Sequence, residues 1–356
     1  MTGSLFQRTN AVQPSVPPTA PPDRSRSVRR SPIDLVAGEL RVRGTGLYLD
    51  ARRRRPCGFV SHAHADHLGR HERTIATRAT AALARHRLGD RKAGEVLPAD
   101  YRTPFGLGEL TLELFPAGHV LGSAQIRITL PGGLTVGYTG DLCTEPTRTA
   151  EPAEVMPCDV LLMESTFGLP RYVFPPKEEV LAAVRRFVDE TLDAGATPVL
   201  LGYSLGKAQE VLKHFGELGY PCRAHPTIHA VNEVYEAQGV PLPNVRLLGA
   251  EGPEKGEVVV APPQLGRSAA ISRIRPRRTA VLTGWALDGA RWFGGVDASF
   301  PLSDHADFPS LLRYAKATGA SRVFTLHGHA EPLARELRRE GLGAEPLRES
   351  AQMELW

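Results

Sequence analysis

The chain has 356 residues with a formal net charge of +4, 42% hydrophobic and 23% charged residues, and that length exceeds what one hydrophobic core usually sustains, so two domains are expected. The composition is that of a globular protein and excludes a disulfide-stapled mini-fold, a coiled coil and a collagen-like rod. Five arginines (Arg8, Arg24, Arg26, Arg29, Arg30) against Asp23 place the whole positive excess in residues 1–30, so the remainder is formally neutral and can bind polyanions only through local patches.

Residues 1–30 combine five prolines with serines and arginines and show no periodic hydrophobicity, which reads as a disordered basic arm. Short apolar runs then predict strands at 40–49, 57–61, 110–116, 124–130 and 134–138. Helical spacing marks 78–88 and 177–194, the latter with Val180, Leu181, Val184, Phe187, Val188 and Leu192 on one face. A buried-strand run, TPVLLGYS, and a helix, GKAQEVLKHFGELG, continue an alternating pattern through the second half. The four cysteines (Cys57, Cys143, Cys158, Cys222) form no C-x-x-C pair, which argues against a disulfide framework or a cysteine zinc ribbon and for a reducing cytoplasm. No apolar run reaches the roughly 18 residues of a membrane span, and residues 1–30 lack a signal-peptide core, so no membrane partner is expected.

The segment that carries chemistry is 59–67, FVSHAHADH, with His62, His64, Asp66 and His67 directly after a strand. A turn leaving that strand can bring His62 and His64 into one cluster, and a following helix start would carry Asp66 and His67 to a neighbouring position, a pattern that suits two metals. His119 in PAGHVLGS, Asp141 in GYTGDL, His305 in PLSDHADF and the pair His327 and His329 in FTLHGHAE follow strand-like runs. Side chains at strand ends can meet in a shared site. Together they supply enough nitrogen and oxygen donors for a dinuclear centre without cysteine.

With these residues the sequence resembles the metallo-β-lactamase superfamily, and within it the β-CASP nucleases. The first motif, H-x-H-x-D-H, is matched by His62, His64, Asp66 and His67, and Asp50 matches the acid that braces the metal loop. His119 and Asp141 match the third-motif histidine and the bridging aspartate. Glu164 in LLMESTFG, His305 and His327 match the β-CASP acid, the proton-donating histidine and the late histidine. The resemblance implies an α/β fold: a four-layer αββα metallo-β-lactamase sandwich formed by residues 31–166 and 299–356, interrupted by a β-CASP domain at 167–298. It implies two divalent ions, zinc with manganese as the alternative. His62, His64, His119 and Asp141 would hold one, and Asp66, His67, His327 and the shared Asp141 the other. Catalysis would rest on Asp50, Asp66, Glu164 and His305, with His305 the general acid oriented by Glu164.

Among β-CASP proteins the likeness is to compact bacterial ligase-associated DNA exonucleases. This implies hydrolysis of single-stranded DNA, the 5′ end favoured, in repair with a DNA ligase and possible links to a helicase. His327 is the feature shared with RNA-processing members, where several DNA-repair members carry valine, so a ribonuclease is the first alternative. A small-molecule metallohydrolase and an inactive scaffold are the others. The long stretch at 165–300 opposes the former, and the full set of ligand positions opposes the latter.

For substrate contacts, Ser204 and Lys207 at a helix start suit a phosphate, with a helix cap as the plain alternative for Ser204. Arg52 and Arg53 belong to a run of four arginines, read as the turn of a hairpin beside the metal loop. Trp285, next to a second basic stretch at 267–278, could stack on a base or pack in the core. His225 and His229 have metal-like spacing, but Pro226 argues against a regular helix across them.

Overall fold

The structure is a computed structural model that describes residues 31–89, 94–289 and 295–348; the expected basic arm lies outside the described residues. The first sheet has the order β1 (Ile33–Val36), β2 (Glu39–Val42), β3 (Leu47–Leu49), β4 (Cys57–Phe59), β5 (Arg73–Ala76), β6 (Glu95–Pro98). The run at 40–49 is two strands, broken where Gly44 takes a positive φ of 76°. Strands β3 and β4 pair in parallel, Leu49 opposite Phe59, so the arginine run lies on a crossover and not in a hairpin turn. Sequence-adjacent strands could pair either way, and only the long-range register decides.

Between β5 and β6, α1 (Arg78–Leu88) is capped by Thr77, whose hydroxyl accepts from the N–H of Thr80 at 3.1 Å. A second sheet begins with β7 (Phe105–Leu107), β8 (Leu110–Pro116), β9 (Ala124–Thr129), β10 (Thr135–Tyr138) and β11 (Val160–Glu164). Side chains from both sheets, among them Val42, Leu49, Phe59 and Ile75 from the first and Leu112, Ile126, Tyr138 and Leu162 from the second, form one apolar core.

After β11 come α2 (Lys177–Asp193), β12 (Thr197–Leu201), α3 (Lys207–Glu217), β13 (Cys222–Ala224), α4 (Pro226–Ala237), β14 (Val245–Leu247), β15 (Val258–Ala261), α5 (Ala269–Ser272), β16 (Arg277–Leu282) and β17 (Ala298–Phe300). Strands β12 to β17 make a third sheet, every pair of it parallel, with β12 between β15 and β16. Its central strands read as unbroken apolar runs because both faces are covered. The apolar face of α2 packs here, as its spacing predicts, with a core of its own. A helix does follow His225: Pro226 occupies the first helical position, where a missing N–H costs nothing, and His225 is the cap.

The chain then returns through α6 (Phe308–Ala317) to β18 (Arg322–Leu326), α7 (Ala330–Arg339) and β19 (Gly343–Pro346). Strand β18 lies beside β11 in parallel with Glu164 opposite Leu326. This register brings the point where the chain leaves the second sheet next to the point where it re-enters. Helices α6 and α7 cover that sheet through Leu311, Tyr314, Leu333 and Leu337 against Leu161, Met163 and Val323. Among the described residues no helix is long and apolar enough to cross a membrane, and all four cysteines are unpaired.

Candidate metal centre

Strand β4 ends at Phe59, and the next residues are tied down before any donor appears. Asp50, in a left-handed conformation with φ of 46° that aspartate tolerates, accepts from the Ser61 N–H at 2.7 Å and the Ser61 hydroxyl at 2.6 Å. It also accepts from Tyr138 Oη at 2.7 Å and His67 Nδ1 at 2.8 Å. Gly140, at φ of 56°, lets the loop bearing Asp141 close on this segment, since a Cβ there would lie 2.6 Å from that of Ser61. No helix starts at Asp66: residues 65–67 form a turn in which the His67 N–H donates to the His64 carbonyl at 3.2 Å. Gly69 lies too close to the Ala51 carbonyl for any side chain, at 2.0 Å from an added Cβ, so only glycine lets the chain pass there. His71, outside the ligand motifs, is buried beneath this loop and fills the space that Gly58 and Gly69 leave open.

The imidazoles of His62, His64 and His119 converge with the Asp141 carboxylate, one donor atom from each lying within 4.8 Å of all the others. His62 Nε2 is 3.0 Å and His119 Nε2 3.1 Å from His64 Nδ1. The outer nitrogens fix the tautomers. His64 Nε2–H donates to the Leu205 carbonyl at 3.1 Å and His119 Nδ1–H to the Asp304 carbonyl at 2.7 Å. The Ser61 hydroxyl proton is committed to Asp50, so Ser61 Oγ accepts from His62 Nδ1–H at 3.0 Å. Three lone pairs therefore face one another in a buried space. Burial first, then for His62 and His119 the neighbouring imidazoles, hold these two rings well below the usual histidine range, and burial brings His64 to about 4. Neutral inward-facing nitrogens beside a carboxylate are the donor set that a divalent cation fits.

Asp141 also serves a second group. Its Oδ2 is 3.4 Å from His62 Nε2 and 3.6 Å from His119 Nε2, and its Oδ1 is 3.4 Å from His67 Nε2. Asp66 Oδ2 lies 3.8 Å from the same His67 nitrogen. Burial opposes charge on His67, but Asp141 and Asp50 raise it to about 10, so this position favours positive charge, which a proton or a metal ion can supply. His327 stands at the rim, its ring centroid 6.0 Å from that of His67, with a left-handed backbone at φ of 60° and its carbonyl held by the Ser165 hydroxyl at 2.6 Å. His305 Nδ1 is 3.0 Å from Oε1 of the fully buried Glu164, and its Nε2 faces Asp141 Oδ2 at 3.9 Å. Burial alone would lower the His305 imidazole, yet Glu164 and Asp141 raise it to about 10.

No protein-family model matches the chain. Over 311 residues it is 42% identical to a probable DNA ligase of Opitutus terrae, covering 87% of this chain and 30% of that protein. It is 34% identical over 139 residues to endoribonuclease ysh1 of Aspergillus fumigatus, 38% of this chain and 15% of the relative. It is 30% identical over 194 residues to RNase aCSPSF2 of Saccharolobus solfataricus, 46% of this chain and 39% of the relative. The chain thus spans well under half of each of these proteins. It is related to the β-CASP metallo-β-lactamase nucleases.

In this β-CASP relative the donor groups open onto a cavity of 780 Å³, whose walls include Asp66, His67, Asp141, His305 and His327. Asp50 and Glu164 do not line it; they stand behind the residues that do. Of the expected substrate contacts, Arg52, Ser204, Lys207 and Trp285 reach the cavity. Arg53 does not line it: its side chain is exposed, and its N–H donates to Glu39. Ser204 is not the cap of α3; Gly206 is, at φ of 93°, and its N–H donates to Gln209 Oε1 at 2.8 Å. Lys207 is buried with its ammonium 2.7 Å from Asp304 Oδ1. Trp285 is half-buried against Phe167, ring centroids 4.7 Å apart. Asp304 and Leu205 are the residues sequence reasoning missed. Asp304 had a signal, its place beside His305, whereas a backbone carbonyl such as that of Leu205 has none.

Proposed function

We propose that this chain is a two-metal phosphodiesterase of the β-CASP type that removes nucleotides from single-stranded DNA, with the 5′ end favoured. In this reading residues 31–166 and 299–356 form the four-layer αββα catalytic sandwich, and 167–298 are the inserted β-CASP domain. The observation that carries it is the sharing of Asp141 between two donor groups directly across from the His305–Glu164 pair. Zinc suits the imidazole and carboxylate donors, with manganese the alternative. The DNA reading and a functional link to a ligase are supported by the Opitutus terrae relative, a probable DNA ligase; a link to a helicase belongs to the same proposal. The unpaired thiols fit a reducing cytoplasm.

His62, His64, His119 and Asp141 would hold one ion, and Asp66, His67, His327 and the second oxygen of Asp141 the other. When bound, two divalent ions supply Lewis acidity toward a phosphodiester and acidify a water. His305 delivers its Nε2 proton to the departing oxygen. Glu164, sealed behind it, keeps that imidazole protonated and aimed through the bond to Nδ1. Asp50 holds His67 and Ser61, so the donors need no rearrangement during turnover.

The test is hydrolysis of matched 5′-labelled and 3′-labelled single-stranded DNA and RNA with zinc or manganese, beside an Asp66→Ala/His67→Ala control. Short products from DNA, absent in the control, are expected, with the 5′ label released first. RNA cleavage alone would select the ribonuclease reading, which His327 and the relatives named as endoribonuclease and RNase favour. Cleavage of neither would overturn both.

A further inference from the structure

The cavity walls carry side chains of two kinds. Lys207 is bonded to Asp304 and Trp285 is packed on Phe167, so their polar or aromatic surfaces are largely taken. Arg87 is not so engaged, and Tyr203 meets only the Lys207 ammonium, 6.0 Å from its ring centroid on one face, which leaves the other face to a base. Arg87, in the last turn of α1, lines the cavity, and its guanidinium makes no hydrogen bond or ion pair to any described residue. It lies close enough to the centre for its charge to be felt by His64 and for that of Asp66 to act on it.

Tyr203 is 44% exposed, one of the few large apolar side chains so open among the described residues, and it also lines the cavity and feels Asp304 and Asp66. Its exposure is not looseness. The Gly202 N–H donates to the Ala261 carbonyl at 3.1 Å, and the Tyr203 carbonyl accepts from the Ala208 N–H at 3.1 Å. The Ser204 carbonyl accepts from the Gln209 amide at 3.0 Å, and that of Leu205 from His64 at 3.1 Å. The ring is thus presented on a backbone fixed at each residue from 202 to 205. Its hydroxyl has no partner among the described residues.

A rigidly based aromatic face and a free guanidinium, both at the Asp66 edge of one cavity, match a flat base joined to an anionic phosphate. We propose that Tyr203 and Arg87 form a nucleotide subsite, in which an unpaired base stacks on Tyr203 and its phosphate is held by Arg87. The inference rests on the nuclease reading and adds to it the residues that select a single strand. A base in a duplex has both faces covered, whereas stacking on an aromatic ring takes any unpaired base irrespective of sequence. The plain alternative is that a surface tyrosine and a surface arginine are merely solvated, and it predicts no dependence on the base.

The experiment is anisotropy of a fluorescein-labelled ten-residue oligothymidylate with the full chain in EDTA, which separates binding from turnover. Tyr203→Ala should weaken binding by about 5-fold to 150-fold, the range for loss of one stacked base, while Tyr203→Phe binds as wild type. An oligonucleotide of abasic residues should bind both proteins equally. Arg87→Met should make the slope of log affinity against log salt shallower by about 0.7, one single-strand phosphate. If Tyr203→Ala fails to fold by circular dichroism, Tyr203→Leu replaces it. Wild-type affinity in the truncated variant, or an equal loss on the abasic strand, would overturn the subsite. Should the wild type cut labelled DNA while Tyr203→Ala binds normally, the subsite alone fails; should it neither bind nor cut, the nuclease reading fails with it.

Discussion

On the side of the cavity that carries the donors, each imidazole of the two groups around Asp141 other than the rim residue His327 has its outer nitrogen bonded, His62 to Ser61, His64 to Leu205, His67 to Asp50 and His119 to Asp304, and so has His305, to Glu164. Elsewhere on the cavity wall, Arg52, Arg87 and Tyr203 make no side-chain hydrogen bond to any described residue, and Tyr203 stands on a backbone fixed from 202 to 205. On the proposed function the contrast reflects two tasks. Chemistry needs donors held to fractions of an ångström, whereas recognition of a mobile strand needs charge and flat surface that adapt to it. The two regions meet at residues 204–207, which send one carbonyl to His64 and one ammonium to Asp304.

Breaking the inner face should have the largest effect. His62→Ala removes the buried imidazole at the middle of the first donor group, and is expected to lose bound metal and reduce hydrolysis to that of the chelated protein, read by elemental analysis beside the labelled-oligonucleotide assay. Lys207→Met asks to which region Lys207 belongs. If it serves the inner face, leaving Asp304 buried without its partner destabilises the fold by about 3 kcal/mol in urea unfolding, and adding Asp304→Asn recovers most of that. If it instead holds substrate phosphate, stability stays and the salt dependence of binding weakens. Asp50→Asn keeps the shape of the brace but weakens its grip on His67. A loss of about 10-fold to 100-fold in metal affinity is expected in a chelator competition. Arg52→Met on the outer wall should change least, making the salt slope shallower by about 0.7 with metal content unaltered.

The same contrast explains what was legible beforehand. His62, His64, Asp66 and His67 stand out because metal coordination admits few residue types at fixed spacing. The pairing of Glu164 with His305 could be anticipated because both match one motif set. The support for those donors was not legible: His64 is oriented by the carbonyl of Leu205, which any residue supplies. The arginine run was placed in a hairpin because local pattern does not distinguish parallel from antiparallel pairing of β3 and β4. The helix expected at Asp66 is a turn over residues 65–67 instead, and the close approach of Gly69 to the Ala51 carbonyl is a long-range contact that local pattern does not show. Tyr203 carries no motif, and its significance lies wholly in exposure next to the donors.

The most direct test of the two-metal, general-acid account is the metal content and turnover of wild type and His305→Ala measured on the same preparations. The account predicts two divalent ions per chain in both proteins, with turnover on single-stranded DNA lower in the variant by about 10²-fold to 10⁴-fold. Loss of metal in His305→Ala, or turnover equal to wild type, would contradict it.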